Sequence, residues 1–423
     1  MNNLIFPSNT IEKTNFNCIG ETVEKPFSGV FDGNGKTING LIWKDEEAQV
    51  SLFGYVRGRN AIIKNLGLED IDFLGKKVGA IVYGLSEGSI ENCYTTGKIV
   101  GREDAAGILR SAFNSVVRGC YSTFEINSNN FSGGIALGNN IGGIISECKF
   151  SGKIISQYNH YTGGIVGLNV GLIEKSYFSG ELIINDVYFE GWKYGDCAGG
   201  IAGINYPAGI IKTSYFCGTI TCKISSISTG GYQGIGGIVG NNDNGSLVSD
   251  FYSIGLIQGT HEIGGIVGIN SGEVRNCYST SDISIRKGIV SDYAALGGIV
   301  GSNYGIVDKN VSMIPEIEIG SKYSGRVLGM RGSKEDNTVI NYSWYNMKLI
   351  SKNNFGESDF YQENVKNGFF VTTKALKDQI TYEGLGWNFN EPDPVWEFSG
   401  EYMLPKLVGV GGQERLVTPS HLI

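Results

Sequence analysis

A nine-residue signature recurs along this chain and constrains its fold more than any other feature. Its fullest form is Gly-Gly-Ile-Val-Gly-Leu-Asn-Val-Gly at residues 163–171. Close copies begin at Gly199, Gly236, Gly264 and Gly297, and degenerate copies begin at Gly79, Ala106 and Gly133. The second position of the signature returns every 27 to 37 residues. A fixed period of this size, lengthened by insertions, indicates a solenoid of stacked repeats.

Each repeat has the same internal plan of three short strands. An apolar Gly-Gly-Ile-Val-Gly strand is followed by a Gly-containing turn, an alternating strand such as 172–178, and a third strand such as 181–184. No helical period runs through the body, and such strands with Gly and Asn turns between them predict β-structure. We therefore predict an all-β fold: a single right-handed parallel β-helix of about ten coils, rising about 4.8 Å per coil.

The two ends of the chain differ from its middle. We predict N-terminal capping coils over residues 1–50, a repeat body over 51–345, and a C-terminal cap over 346–423 that contains strands and a short helix at 373–380. An open parallel stack needs caps of this kind, because bare strand edges promote aggregation.

Composition and charge exclude several classes of function. The net charge is −8 and only 18% of residues are charged, so the clustered basic surface of a nucleic-acid-binding protein is missing. No stretch approaches the roughly 20 apolar residues that span a bilayer, and residues 1–10 do not resemble a signal peptide. An extracellular or surface location would require a leader that has been removed; without one, a cytoplasmic or particle-associated location is expected.

The repeats resemble the GLUG-motif repeats of bacterial surface and secreted proteins. The resemblance rests on the Gly-Gly-Ile-Val-Gly-x-Asn-x-Gly units, the opening segment 26–38 and the closing segments 381–387 and 396–405. It covers nearly the whole chain, although the usual lead-in before segment 32–35 is shortened. It implies a right-handed parallel β-helix and little about activity.

Two columns of polar residues recur at fixed positions of the repeat. An asparagine occupies one position in six successive coils, at Asn139, Asn169, Asn205, Asn242, Asn270 and Asn303. Stacked amides can hydrogen-bond along the axis, so a structural ladder is predicted, with a polar binding stripe as the alternative. Cys93, Cys120, Cys148 and Cys277 share another column with Leu, Ser, Phe and Asn, which indicates an inward packing position.

Insertions at one position of the repeat carry the candidate binding residues. The longest ones contain residues 186–196 and 225–234, and the preceding coil has an aromatic segment at 157–161. We expect these loops to project from one edge of the helix, where long loops on a rigid scaffold usually bind. The candidate carbohydrate-binding residues are Tyr158, Tyr161, Tyr188, Trp192, Tyr194 and Tyr232. The alternative is that these aromatic rings pack the loops onto the body.

Catalytic candidates are few and match no known motif. Asp186, Glu190 and Asp196 could serve as the two carboxylates that a glycoside hydrolase needs. His160 holds the same repeat position as Asp196 one coil earlier, so the two could form an acid–base pair. Surface polar roles are the alternative. No cysteine pair has zinc-ligand spacing, and we predict neither a metal nor a cofactor.

The sequence favours a rigid structural or adhesive module that binds a polysaccharide or cell-surface glycan through its loops. The first alternative is an enzyme acting on polysaccharide, whether a hydrolase, a lyase or a glycosyl-transferring enzyme. The second is a structural component of a phage tail or appendage. Nucleic-acid binding and a membrane span are not expected, and the oligomeric state is left open.

The cysteines are predicted to be free thiols, because other coils have Leu, Ser or Phe at the same repeat position and no two cysteines have Cys-x-x-Cys spacing. Titration of thiols in denaturant without reductant should find close to eight per chain. A count of two or fewer would mean that the cysteines are mostly paired.

Overall fold

Parallel strands stack coil on coil along the whole repeat body. The computed structural model describes residues 3–5, 18–158, 160–185, 197–223, 234–286, 294–319, 323–332, 340–351, 364–390, 392–398 and 403–423. Two parallel sheets dominate, with 32 and 10 strands. The smaller sheet takes one strand from each of ten successive coils: Phe53–Arg57, Val82–Ser86, Leu109–Phe113, Ala136–Asn139, Val166–Asn169, Ala202–Asn205, Val239–Asn242, Val267–Asn270, Val300–Asn303 and Leu328–Arg331. The predicted parallel β-helix of about ten coils is confirmed.

The larger sheet forms the remaining walls. The strands that follow the asparagine turn are Val30–Asn39, Ile62–Gly79, Ser89–Glu91, Tyr94–Ala106, Val116–Arg118, Tyr121–Ser122, Ile144–Ser146, Lys149–Phe150, Leu172–Glu174, Tyr177–Phe178, Ile210–Phe216, Leu247–Ser253, Glu273–Ser279, Ile306–Asp308, Val311–Ser312, Tyr342–Trp344 and Phe369–Val371. The long strands Ile62–Gly79 and Tyr94–Ala106 continue through the next wall. That wall, which we call the third strand of each coil, also contains Ile42–Val50, Glu125–Ser128, Lys153–Ser156, Glu181–Ile184, Thr219–Cys222, Leu256–Gly259 and Asp282–Ile285. The strands that lead into the signature are Ser132–Gly133, Tyr161–Gly163, Cys197–Gly199, Gly234–Gly236, Glu262–Gly264, Leu296–Gly297 and Ser324–Gly325, and Leu4–Ile5 pairs at the start of the stack.

The C-terminal elements are short. The helices are Asn364–Asn367, Thr373–Leu376 and Gln379–Glu383, and the 3-10 turns are Gln413–Arg415 and Ser420–Leu422. Two strand pairs complete this end of the chain: Glu316–Ile319 is parallel to Lys348–Ser351, and Trp396–Phe398 is antiparallel to Pro405–Leu407. The helix predicted over 373–380 is interrupted. Thr372 caps the first helix by accepting from Ala375 N, and Asp378 starts a second one by accepting from Ile380 N. The Asp378 cap breaks the predicted helix because it holds extended backbone between the two short helices.

The asparagine column forms a hydrogen-bonded ladder, as predicted. Each Nδ2 donates to the Oδ1 of the next asparagine along the stack, in five steps of 2.8 to 2.9 Å from Asn139 to Asn303. The other Nδ2 proton is directed at a turn carbonyl, as from Asn169 to Gly171 O at 3.0 Å. At the first rung, Asn139 Oδ1 has no donor, because the register partner in the preceding coil is Ala112. The ladder is therefore directional, and its buried amide oxygens beyond the first rung are satisfied by the preceding asparagine.

A left-handed residue bends the second strand in nine successive coils. These residues are Asn65, Asn92, Gly119, Glu147, Lys175, Thr213, Asp250, Asn276 and Lys309. In seven coils the side chain after the bend donates to the carbonyl two residues before it, for example Ser176 Oγ to Glu174 O at 2.9 Å. Cys93, Cys120, Cys148 and Cys277 hold this position, so they act as weak donors as well as core side chains. All eight cysteines are free, as the sequence predicts.

Charges alternate along the outer face of the third strand. Asp72, Lys98, Glu125, Lys153 and Glu181 are register partners in five successive coils. Lys153 Nζ lies 3.0 Å from Glu181 Oε2. In-register stacking places the same position of neighbouring coils side by side, so like charges would repel while alternating charges attract. This face is consequently close to neutral.

Stacked tyrosines line another wall and are covered by the C-terminal segment, residues 403–416. Tyr177, Tyr215, Tyr252 and Tyr278 stack with centroids 4.8, 4.9 and 5.3 Å apart and planes within 13°. The Tyr215, Tyr252 and Tyr278 hydroxyls donate to Gly411 O, Gln413 Oε1 and Pro405 O at 3.0, 2.8 and 2.9 Å. We call this column the tyrosine ladder; it binds the C-terminal segment along the side of the stack.

The second glycine of the signature faces the core, where no side chain fits. A Cβ at Gly200 would lie 2.3 Å from Gly237 O and 2.4 Å from the Phe216 ring. Gly200→Val should therefore cost about 3 kcal/mol of folding free energy through overpacking, measured as a lower thermal midpoint and a lower soluble yield. The matched control is Gly138→Ser, because a Cβ there meets no atom closer than 3.7 Å and the register partner is Ser111. Equal melting of the two variants would show that the glycine column is not a steric requirement.

An interior rung of the asparagine ladder should matter more than its first rung. Asn205→Ala removes the acceptor of Asn169 Nδ2 and the donor to Asn242 Oδ1, so we expect a loss of about 3 kcal/mol. Asn139→Ala breaks one rung contact only and should cost about half as much. Thermal unfolding of both variants measures the difference. Equal losses would mean that the amides act independently of the ladder.

Candidate functional site

The insertions leave the stack from one corner, as expected. The strands before them end in register, with Ser156 opposite Ile184 and Ile184 opposite Cys222. The strands after them begin in register, with Tyr161 opposite Cys197. We call this place the loop corner: the ends of the connections 157–160, 185–196 and 223–233. Its anchoring points repeat once per coil and are fixed by ladder hydrogen bonds.

Most of the predicted site residues lie outside the described part of the chain. These are Asp186, Tyr188, Glu190, Trp192, Tyr194, Asp196 and Tyr232. Their roles in binding or catalysis stay predictions. Tyr158, His160 and Tyr161 are described, and all three side chains are half-buried.

Aromatic rings from three coils meet at the loop corner. The Tyr161 ring lies 5.8 Å from Phe131 and 6.3 Å from Tyr206, and the His160 ring lies 5.5 Å from Phe131. The interplanar angles are 28°, 75° and 42° respectively. We call Phe131, His160, Tyr161 and Tyr206 the corner cluster; each of its side chains is partly exposed. Tyr158 precedes the cluster, and its N–H donates to Asn129 O at 2.8 Å.

Two members of the cluster are absent from the sequence prediction. Phe131 shares the column of Tyr161, because Ser132 pairs with Thr162. Tyr206 follows the ladder residue Asn205, in the turn at the end of the smaller sheet. Aligning the repeats by position would have identified Phe131 as an aromatic residue at the position of Tyr161. The contact of Tyr206 with Tyr161 joins different strands of neighbouring coils, which only the folded cross-section brings together.

Burial favours the neutral forms of two side chains of the cluster, His160 and Tyr161. It lowers the pKa of His160 and raises that of Tyr161, whose contact with Tyr206 acts in the same direction. The predicted pairing of His160 with Asp196 involves a residue outside the described ranges. On the described side, Cys197 N donates to His160 O at 3.2 Å.

Neither a metal cluster nor a membrane helix occurs in the part of the chain that the structure describes. No group of three or more His, Cys, Asp or Glu side chains could hold a metal ion there. No helix there is both long enough and apolar enough to cross a bilayer.

The fold and the repeated signature define a parallel β-helix repeat protein. Residues 259–284 match the family model described as the GLUG motif, so the chain is a GLUG-containing protein and the resemblance seen in the sequence is confirmed there. The match begins at the end of the strand Leu256–Gly259 and ends in the strand Asp282–Ile285, which holds the same position one coil later. It therefore covers one full coil.

A curated protein shares part of this sequence. Halomucin from Haloquadratum walsbyi (strain DSM 16790 / HBSQ001) is 32% identical over 115 residues, which cover 26% of this chain. The matched stretch covers 1% of halomucin. The likeness therefore concerns only a small part of that protein.

Proposed function

We propose that this chain is a rigid structural or adhesive module that binds carbohydrate at the loop corner without cleaving it. The observation that carries the proposal is the corner cluster, four partly exposed rings from three coils at the point where the insertions leave the stack. Such a module would work at a cell surface or outside the cell.

The orientation of the rings supports sugar binding. In the tyrosine ladder, neighbouring rings are nearly parallel and cover one another's faces. In the corner cluster only Phe131 and Tyr161 are stacked, at 28°, while Tyr206 stands at 75° to Tyr161, so the rings cover one another's faces less completely. An open aromatic face can pack against the C–H face of a sugar ring at low entropic cost, and a Tyr hydroxyl adds a polar contact.

The scaffold supports a binding role through its rigidity. Ladder hydrogen bonds and the asparagine amides fix the positions of Phe131, Tyr161 and Tyr206 relative to one another. A fixed set of aromatic anchors loses little freedom on binding, which favours affinity. Burial lowers the pKa of His160 and so favours its neutral form.

The decisive comparison is between tyrosines at the same repeat position. Tyr206→Ala removes a ring of the corner cluster, and we expect affinity for a bound polysaccharide to fall about tenfold, as for loss of an aromatic anchor. Tyr304 follows Asn303 as Tyr206 follows Asn205, three coils farther along the stack. Tyr304→Ala should bind like the parent. A glycan array followed by titration of the hits gives both affinities.

Product release separates binding from catalysis. The parent and the His160→Ala variant should release no soluble sugar from a bound polysaccharide over a day. Turnover in the parent that disappears in one acid or histidine variant would make the protein an enzyme. Absence of binding to every glycan, with Tyr206→Ala equal to the parent, would leave a purely structural rod.

A further inference from the structure

Three coils depart from the repeat at a position where later coils need glycine. An added Cβ would lie 2.2 to 2.7 Å from backbone atoms of neighbouring strands at each of five glycines: Gly203, Gly240, Gly268, Gly301 and Gly329. The register partners in earlier coils are Tyr83, Arg110 and Leu137. Side chains at this position mean that the wall is more open in these coils. The degenerate copies of the signature are therefore structurally distinct from the rest of the stack.

Arg110 is held firmly but uses few of its hydrogen-bond donors. Its guanidinium carbon lies 5.0 Å from the centroid of the Tyr83 ring, which Tyr55 supports edge-on at 5.7 Å. One Arg110 nitrogen donates to Asp104 Oδ2 at 3.0 Å, and the Nε is buried without an acceptor. A guanidinium has five N–H donors in a rigid fork that matches a carboxylate. The Arg110 side chain is 23% exposed, so it is accessible from solvent.

The Arg110 site adjoins the corner cluster. Asp104, Phe131 and Tyr161 occupy one column in three successive coils, because Ala105 pairs with Ser132 and Ser132 with Thr162. Arg110 therefore lies one coil from Phe131, about 4.8 Å along the stack.

The carboxylates around Arg110 are paired, on a protein whose net charge is −8. Glu103 is paired by two lysines, Lys76 at 3.5 Å and Lys77 at 3.2 Å. Asp104 is paired by Arg110, so both carboxylates beside Arg110 are compensated by cations. An anionic group of a ligand would therefore meet the Arg110 guanidinium without an uncompensated carboxylate beside it in the described part of the chain.

We infer that the polysaccharide bound at the loop corner is acidic, and that Arg110 recognises a uronate carboxylate of a sugar neighbouring the one held by the corner cluster. This inference rests on the proposed function, since it extends that binding site by one coil. Tyr83 and Asp104 position the guanidinium, and its free donors bind the carboxylate in a charge-assisted contact.

The test compares polygalacturonate with its carboxyl-reduced, neutral form at fixed salt concentration. The parent should bind the acidic polymer about tenfold more tightly, the size expected for a charge-assisted hydrogen bond. Asp104→Asn with Arg110→Gln should abolish that preference and leave affinity for the neutral polymer unchanged. The double variant is used because Arg110→Gln alone would leave Asp104 buried and unpaired, and its thermal midpoint checks that the fold is intact.

A matched control and the neutral polymer make the outcomes distinct. Arg118→Gln removes an arginine that pairs with Glu147 at 2.7 Å on another wall, so the acidic preference should persist. Equal affinity of the parent for both polymers would overturn the inference and leave the proposed function standing, provided that Tyr206→Ala still weakens binding. Failure to bind either polymer, or any other glycan, would overturn both.

Discussion

In-register parallel stacking is the constraint on which the rest of this structure depends. It places each residue beside the residue at the same position of the next coil, so every column must be compatible with itself. Asparagines satisfy this condition because an amide both donates and accepts, which gives five rungs of 2.8 to 2.9 Å. Charges satisfy it by alternating, as Lys153 and Glu181 do. Glycines satisfy it where backbones approach too closely for a Cβ, as at Gly200.

The same constraint makes departures from the repeat informative. A column that tolerates only glycine in five coils and accepts Tyr83 and Arg110 in others marks a place where the packing has changed. The insertions depart from the repeat in length without changing register, so their ends converge on one corner. The corner cluster and the Arg110 site lie on neighbouring coils there. Function in a solenoid of this kind is expected where the columns are broken and the backbone ladder is not.

The two aromatic arrangements illustrate how context decides the use of a ring. Tyr215, Tyr252 and Tyr278 form a regular column, and their hydroxyls bind the C-terminal segment, which buries them. Tyr161 and Tyr206 come from different strands, meet at a steep angle and stay partly exposed. The regular tyrosine column thus stabilises the fold, whereas the rings of Tyr161 and Tyr206 stay partly accessible at the surface.

The sequence by itself determined the architecture, because the repeat encodes the stack: the period predicted the coils, and the column of Asn139 to Asn303 predicted the amide ladder. It also predicted that the insertions share an edge, since they occupy one repeat position. It did not predict the left-handed bend at residues such as Lys175 and Thr213, which carry no glycine signal and are stabilised by the following side chain. Nor could it predict the contact of Tyr161 with Tyr206 or the support of Arg110 by Tyr83 and Asp104. Those contacts depend on how far apart the walls of each coil lie, and that distance is set by the packing of the whole cross-section and not by any local segment.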